Sequence, residues 1–329
     1  MRRPLLPLVL LAAVLVLGGG VWLVGRAGAE DPAPSAEAQD RPAVRVAGGP
    51  DAESVLLSHT LVELLALEEV PAEAVVFSDA RDTRQALELR DVELRIAYTG
   101  ETWLQTLGRA DPPGDPEESY EEVRAHDAEE GLEWFRPPFG DGSTEPPADA
   151  TFAFMVAGPP SIHADLTTVS QLASRLSAEP DATLCVDPEF ASRPDGLRAV
   201  LAAYSVRSDQ PVLAAAPEDA VRGVSVGECI AGLTSATDGR AWRAGLRPLV
   251  DDLDVFPAFV VLPQARRQTL LERPLVGRAV APMAEELTTE LLGQMNARVA
   301  GGEPIEEVAA VAARELAMRA GREVGEAAG

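Results

Sequence analysis

Short apolar runs alternate along the chain with longer stretches whose apolar residues recur at helical spacing. AVRVAG (43–48) reads as a strand, and ESVLLSHTLVELLAL (53–67) as an amphipathic helix. AVVFSD (74–79) is a second strand, and DTRQALEL (82–89) a short helix with Asp79 or Asp82 as its cap. VELRIAY (92–98) is a third strand and runs into YTG (98–100). This β-α-β-α-β order predicts a parallel sheet covered by helices. The segment 110–150 is rich in Pro, Gly, Asp and Glu, with one helical piece near Tyr120 to Glu130. FAFMVAG (152–158) then opens a second α/β series: TLCVD, a helix over 193–205, PVLAAA, a helix over 217–224, and ECIAGL. After DDLDVFPAFVVLPQAR the pattern turns helical, at 283–297 and again at 304–326. The expectation is an α/β protein of two lobes, 43–150 with 256–329 and 151–255, joined by crossing segments. In such a fold a ligand cleft lies between the lobes, at the carboxyl ends of strands. No internal repeat is visible.

The N-terminus adds a compartment. Arg2 and Arg3 precede an apolar stretch from Leu5 to Val24, and Ala27-Gly28-Ala29 follows, the layout of an export signal. The stretch would also span a bilayer, so cleavage after Ala29 and retention as an anchor both stay open. No cysteine lies near it, which excludes a lipobox. Residues 30–42 have linker composition. The folded part is expected to work outside the cytoplasmic membrane. There the two cysteines, Cys185 and Cys229, are either disulfide partners or a pair of buried thiols. The chain of 329 residues carries a formal charge of −25, and its 28 basic residues are all arginine, which argues against nucleic acid as a partner.

Enzyme signatures are scarce. HExxH, P-loop and strand-linked GxGxxG motifs are missing, and no cofactor or metal is expected. GVSVG (223–227) matches GxSxG around Ser225, but a helix precedes it, a strand follows, and the last histidine, His163, is already behind. Candidate binding groups are more suggestive. Tyr98 ends a strand, and Thr99-Gly100 exposes backbone N–H groups at a helix start. Phe152 begins a crossing strand, and Thr237-Asp238-Gly239 forms a turn or cap. Each of these has a structural reading, as core or cap, beside the functional one.

Taken in order, several segments resemble one family: the substrate-binding proteins of ABC transporters for glycine betaine, choline, carnitine and related compounds. They are DTRQALELRDVELRIAYTG, DPEESYEEVRAHDAEEGLEWFRPP, ATFAFMV, DPEFASRPDGL, SATDGRA, DDLDVFPAFVVLP and LTTELLGQMNARVAGGEPIEEVA, between residues 43 and 318. The resemblance implies a periplasmic-binding-protein-like (type II) fold with a hinge, and a role delivering a solute to a membrane permease without turnover. It also implies a pocket of tyrosines around a quaternary ammonium, often with a cation and a threonine on the ligand's carboxylate. Tyr98 then matches the tyrosine of the family's YTG, Phe152 stands for a hinge tyrosine, Arg193 lies near an arginine-bearing segment, and Thr237 and Asp238 match its TD. The departures are Gly49 where a lysine is usual (Glu53 after it is retained), Glu101 for a threonine, and Ser235 for a tyrosine.

These changes have a direction. Losing a cation and gaining Glu101 disfavours a ligand carboxylate and favours a cation. Alternatively Glu101 points outward and pairs with Arg109 or another arginine. The expected ligand set is Tyr98, Thr99, Glu101, Phe152, Arg193, Ser235, Thr237 and Asp238, for a small cationic or zwitterionic solute. The alternative on the same fold is a sensor or partner-binding module whose pocket has decayed.

Overall fold

The computed structural model describes residues 42–140, 145–193 and 196–322. The expected signal or anchor (1–29) and almost all of the 30–42 linker lie outside the described residues. Among those residues no helix is long and apolar enough to cross a membrane.

Two five-stranded sheets organise the chain. In the first, β1 (Val44–Gly48) lies between β2 (Ala72–Val76) and β3 (Leu94–Tyr98), all parallel. Their crossovers are α1 (Ala52–Leu67) and α2 (Ala80–Glu88). The chain continues through α3 (Thr99–Gln105) and α4 (Pro116–Glu129) to β4 (Leu132–Trp134). In the second sheet β5 (Phe152–Ala157), β6 (Leu184–Val186), β7 (Val212–Ala214), β8 (Ala231–Ser235) and β9 (Leu246–Pro248) take the order β7-β6-β8-β5-β9. Its helices are α5 (Val169–Ala178), α6 (Pro188–Ser192), α7 (Leu197–Ala203), α8 (Pro217–Ser225) and α9 (Gly239–Arg243). The chain then returns to the first sheet as β10 (Val261–Arg266) and ends in α10 (Arg267–Glu272), α11 (Pro274–Glu286), α12 (Thr289–Ala300) and α13 (Ile305–Arg319). Neither sheet is purely parallel: β10 runs antiparallel to β3 and β4, and β5 to β8 and β9. An apolar strand buried on both faces reads alike in either direction, so the returning strands gave no warning of this.

Side-chain caps set several helix starts. Asp51 accepts from the Ser54 N–H (2.8 Å) and starts α1, and Asp79 accepts from the Arg81 N–H (2.9 Å) and starts α2. Thr288 accepts from the Leu291 N–H (3.2 Å), so the expected 283–297 helix is two helices meeting at Leu287–Thr288. The expected 193–205 helix is the shorter α7, and the separate α6 ends before it at Ser192. Leu57, Leu61 and Leu64 of α1 bury against Leu94 and Ile96 of β3 and Leu316 of α13. Each such leucine is worth about 1.5–3 kcal/mol of apolar burial.

Cys185 and Cys229 are bonded, with an S–S distance of 2.00 Å. Cys185 sits on β6, but Cys229 lies two residues before β8, not on a neighbouring strand as the ECIAGL run suggested. A Cβ on Gly223 of α8 would lie 2.6 Å from the Cys185 sulfur, so a glycine there lets the helix close over the bond.

Candidate functional site

The three residues of YTG face three different ways. Tyr98, the last residue of β3, sends its hydroxyl to Glu53 Oε1 on α1 (2.9 Å). Thr99 is fully buried; its hydroxyl accepts from the Val260 N–H (3.1 Å) and donates to the Ala258 carbonyl (3.3 Å). Gly100 packs so tightly that a Cβ would lie 2.6 Å from the Phe259 ring. Thr99 and Gly100 therefore dock the start of α3 on the segment that returns from the second sheet, and only Tyr98 is aimed at the gap between sheets.

That gap is bridged by one carboxylate. Glu53 Oε2 accepts from Thr237 Oγ1 (2.6 Å), beyond the end of β8, and from Asn296 Nδ2 (2.6 Å) on α12. Asn296 also donates to the Thr237 carbonyl (2.9 Å). Ser235 Oγ lies 3.0 Å from Thr237 Oγ1 and bonds the Ala150 carbonyl (3.2 Å). Burial raises the Glu53 pKa, against the lowering effect of its three donors, with Asp51 adding to the rise. Burial, and then the adjacent Glu53 charge, hold the Tyr98 phenol protonated.

Phe152 is the strand neighbour of Ser235 in the β5–β8 ladder and is 42% exposed. Its ring lies 5.2 Å from Phe190, over which the Arg193 guanidinium stacks at 5.9 Å. The fold thus links Tyr98, Phe152, Ser235 and Thr237 in one continuous set, with Arg193 at its aromatic edge. Asp238 is engaged otherwise: it caps α9, accepts from Thr234 Oγ1 (2.7 Å), and pairs with Arg240, contacts that hold its carboxyl below the usual range despite burial. Glu101 joins no bond in the Glu53 cluster. It lines a groove beside α2 and α3, and Arg109 pairs with Glu122 instead (2.9 Å). Glu53 and Asn296 are the members that site reasoning passed over. Glu53 stands in the motif segment GGPDAES, but no local signal marks Asn296, whose contact with Glu53 spans 243 positions.

The crossing segments lie against each other. The Asp149 Oδ1 accepts from the Thr151 N–H and the Phe259 N–H, both at 2.9 Å, tying one crossing to the other. Next to Asn296, α9 packs on α12, where a Cβ on Gly293 would lie 2.2 Å from Trp242 Nε1 and one on Gly239 2.3 Å from the Asn296 carbonyl. The glycines permit a contact that any side chain would prevent.

Comparison with known proteins gives a consistent relationship. A glycine-betaine-binding protein of Pseudomonas aeruginosa is 28% identical over 231 residues, 66% of this chain and 69% of its own. Among solved structures, apo YehZ from Escherichia coli superposes with a TM-score of 0.74 at 24% identity, covering 85% of this chain and 99% of its own. A glycine betaine/carnitine/choline ABC transporter structure gives 0.71 at 21% identity, over 84% and 98%. These neighbours share the two-lobed, periplasmic-binding-protein-like type II fold. Residues 42–314 match the family described as the substrate binding domain of ABC-type glycine betaine transport systems, and the chain belongs to that family.

Proposed function

We propose that the protein captures a small quaternary amine, or a related cationic or zwitterionic solute, between its lobes and hands it to an ABC permease outside the cytoplasmic membrane. The lobes are 43–150 with 256–329 and 151–255, and residues 1–29 export the chain or hold it at the membrane. The observation that carries the reading is the Glu53 carboxylate, which accepts from Tyr98 beside the first sheet and from Thr237 beside the second. Tyr98 and Phe152 supply ring faces for an ammonium group, and Arg193 supplies a cation for a carboxylate where the solute carries one. Relatives named for glycine betaine, carnitine and choline support this class of solute.

The test is calorimetric titration of the exported protein with choline, carnitine and glycine betaine. Saturable binding of at least one is expected, weakened about five- to tenfold by Phe152→Ala through loss of a cation–π face worth about 1 kcal/mol. Failure of all three to bind would refute the solute class.

A further inference from the structure

The first sheet carries a separate groove of about 670 Å³, bordered by α2 and α3 and lined wholly by residues 80–106. Arg95 of β3 lines it and is only 3% exposed. Its Nε donates to Gln264 Oε1 (2.6 Å) and its Nη1 to Thr83 Oγ1 (3.3 Å), both neutral acceptors. Among the described residues no carboxylate comes within ion-pair distance of it. A buried guanidinium without a direct counter-charge is costly, by several kcal/mol before compensation. Burial accordingly pushes the Arg95 pKa down to about 10, with Glu101 the largest opposing influence. Glu101 lines the same groove, and burial raises its pKa against the pull of Arg95. No hydrogen bond or ion pair among the described residues reaches its carboxylate. Two opposite charges thus line one cavity and stay apart.

The remaining lining decides what would join them. Arg84 is already spent on Asp127 (2.8 Å) and Glu88 (2.7 Å). Arg81 and Asp82 at the rim offset each other in sign, so the groove has no net bias toward a simple anion or a simple cation. Leu104, 44% exposed, adds an apolar wall. We propose that this groove is a second small-molecule site, for a zwitterion whose charges are separated by a methylene chain, with its carboxylate on Arg95 and its ammonium on Glu101. The site is distinct from the Glu53 cluster and does not depend on the solute assigned there.

An ω-amino-acid series, from glycine through 4-aminobutyrate to 6-aminohexanoate, acts as a ruler for the gap. Titrated into the exported protein, the series is expected to bind saturably with an optimum at one chain length. Affinity is expected to fall about tenfold or more in Glu101→Gln and in Arg95→Gln, and to be unchanged in Phe152→Ala. Glu101→Gln, which removes no packing, keeps the test valid if Arg95→Gln does not fold. Choline titrated into the same samples reports the other site independently, so either reading can fail alone. No saturable binding, equal binding of acetate, indifference to Glu101→Gln, or displacement by choline would each overturn the proposal.

Discussion

Asp149 is a carboxylate built into the crossing between lobes, and its neutralisation gives a defined test of the energetics there. One oxygen accepts from two backbone N–H groups, on Thr151 and Phe259, and no cation bonds it among the described residues. Burial pushes its pKa from 3.8 up to about 6, against those two bonds, and Asp251 adds to the rise. A carboxyl whose folded pKa is raised holds its proton more tightly when folded. Stability is therefore greatest below the unfolded pKa and is lost as pH rises toward the folded one, here between about 4 and about 6. A shift of that size corresponds to about 3 kcal/mol at most. By accessible surface Asp149 is half-buried, not fully enclosed, and solvent screening reduces this to about 1–2 kcal/mol. Asp149→Asn keeps the accepting oxygen and removes the charge. The variant is expected to match the parent near pH 4 and to be more stable by about 1–2 kcal/mol above pH 7. Urea unfolding of both proteins across this range isolates the difference from every other titrating group. A variant that is less stable at neutral pH, or a difference that does not vary with pH, would refute the account of Asp149.

Two further perturbations address the second sheet and its contact with the C-terminal helices. The Cys185–Cys229 bond closes a separation of 44 residues, so Cys229→Ser is expected to cost about 2–4 kcal/mol in denaturant unfolding, and thiol reduction of the parent is expected to reproduce the loss. Gly293→Ala would force Trp242 from its place and break the 2.8 Å bond from its Nε1 to the Ala236 carbonyl. The expected cost is about 1–3 kcal/mol with a red-shifted tryptophan emission, and an unchanged spectrum would mean that the contact yields without strain.

Much of this architecture was legible where a local signal existed. The α1 periodicity and the β-α-β-α-β order follow from spacing and side-chain chemistry, as does a cap at Asp79 or Asp82, of which the fold uses Asp79. Strand positions drifted where apolar runs outlast the paired residues: AVVFSD pairs over 72–76, and ECIAGL yields a strand over 231–235. LEW (132–134) and LRP (246–248) are too short to rise above their surroundings, yet they complete the two sheets. At the site, Tyr98 and Thr237 could be singled out from motif segments, but what they share could not, because Glu53 lies 45 and 184 positions from them. Thr99 shows the opposite limit. A hydroxyl after a strand reads as a ligand group, and only the fold reveals that the returning backbone takes both its donor and its acceptor.

The bonds that join the two sheets also set the charge that a solute would meet there under the proposed function. Within the cluster of Glu53, Tyr98, Ser235, Thr237 and Asn296, only Glu53 carries a formal charge, and its three partners are neutral donors. Its negative charge is shared with them and not cancelled. A cation brought within about 4 Å would gain on the order of 4 kcal/mol at an effective dielectric near 20, and a carboxylate would meet the same term with opposite sign. Burial raises the Glu53 pKa against these three bonds, and a protonated acid would be the poorer acceptor for Thr237 and Asn296. With a cation beside it, the ionised form is favoured and all three bonds strengthen. Under the proposed function, solute charge and lobe contact would act through the same two oxygens: a cation that neutralised Glu53 would also tighten the bonds that hold Thr237 and Asn296 to α1.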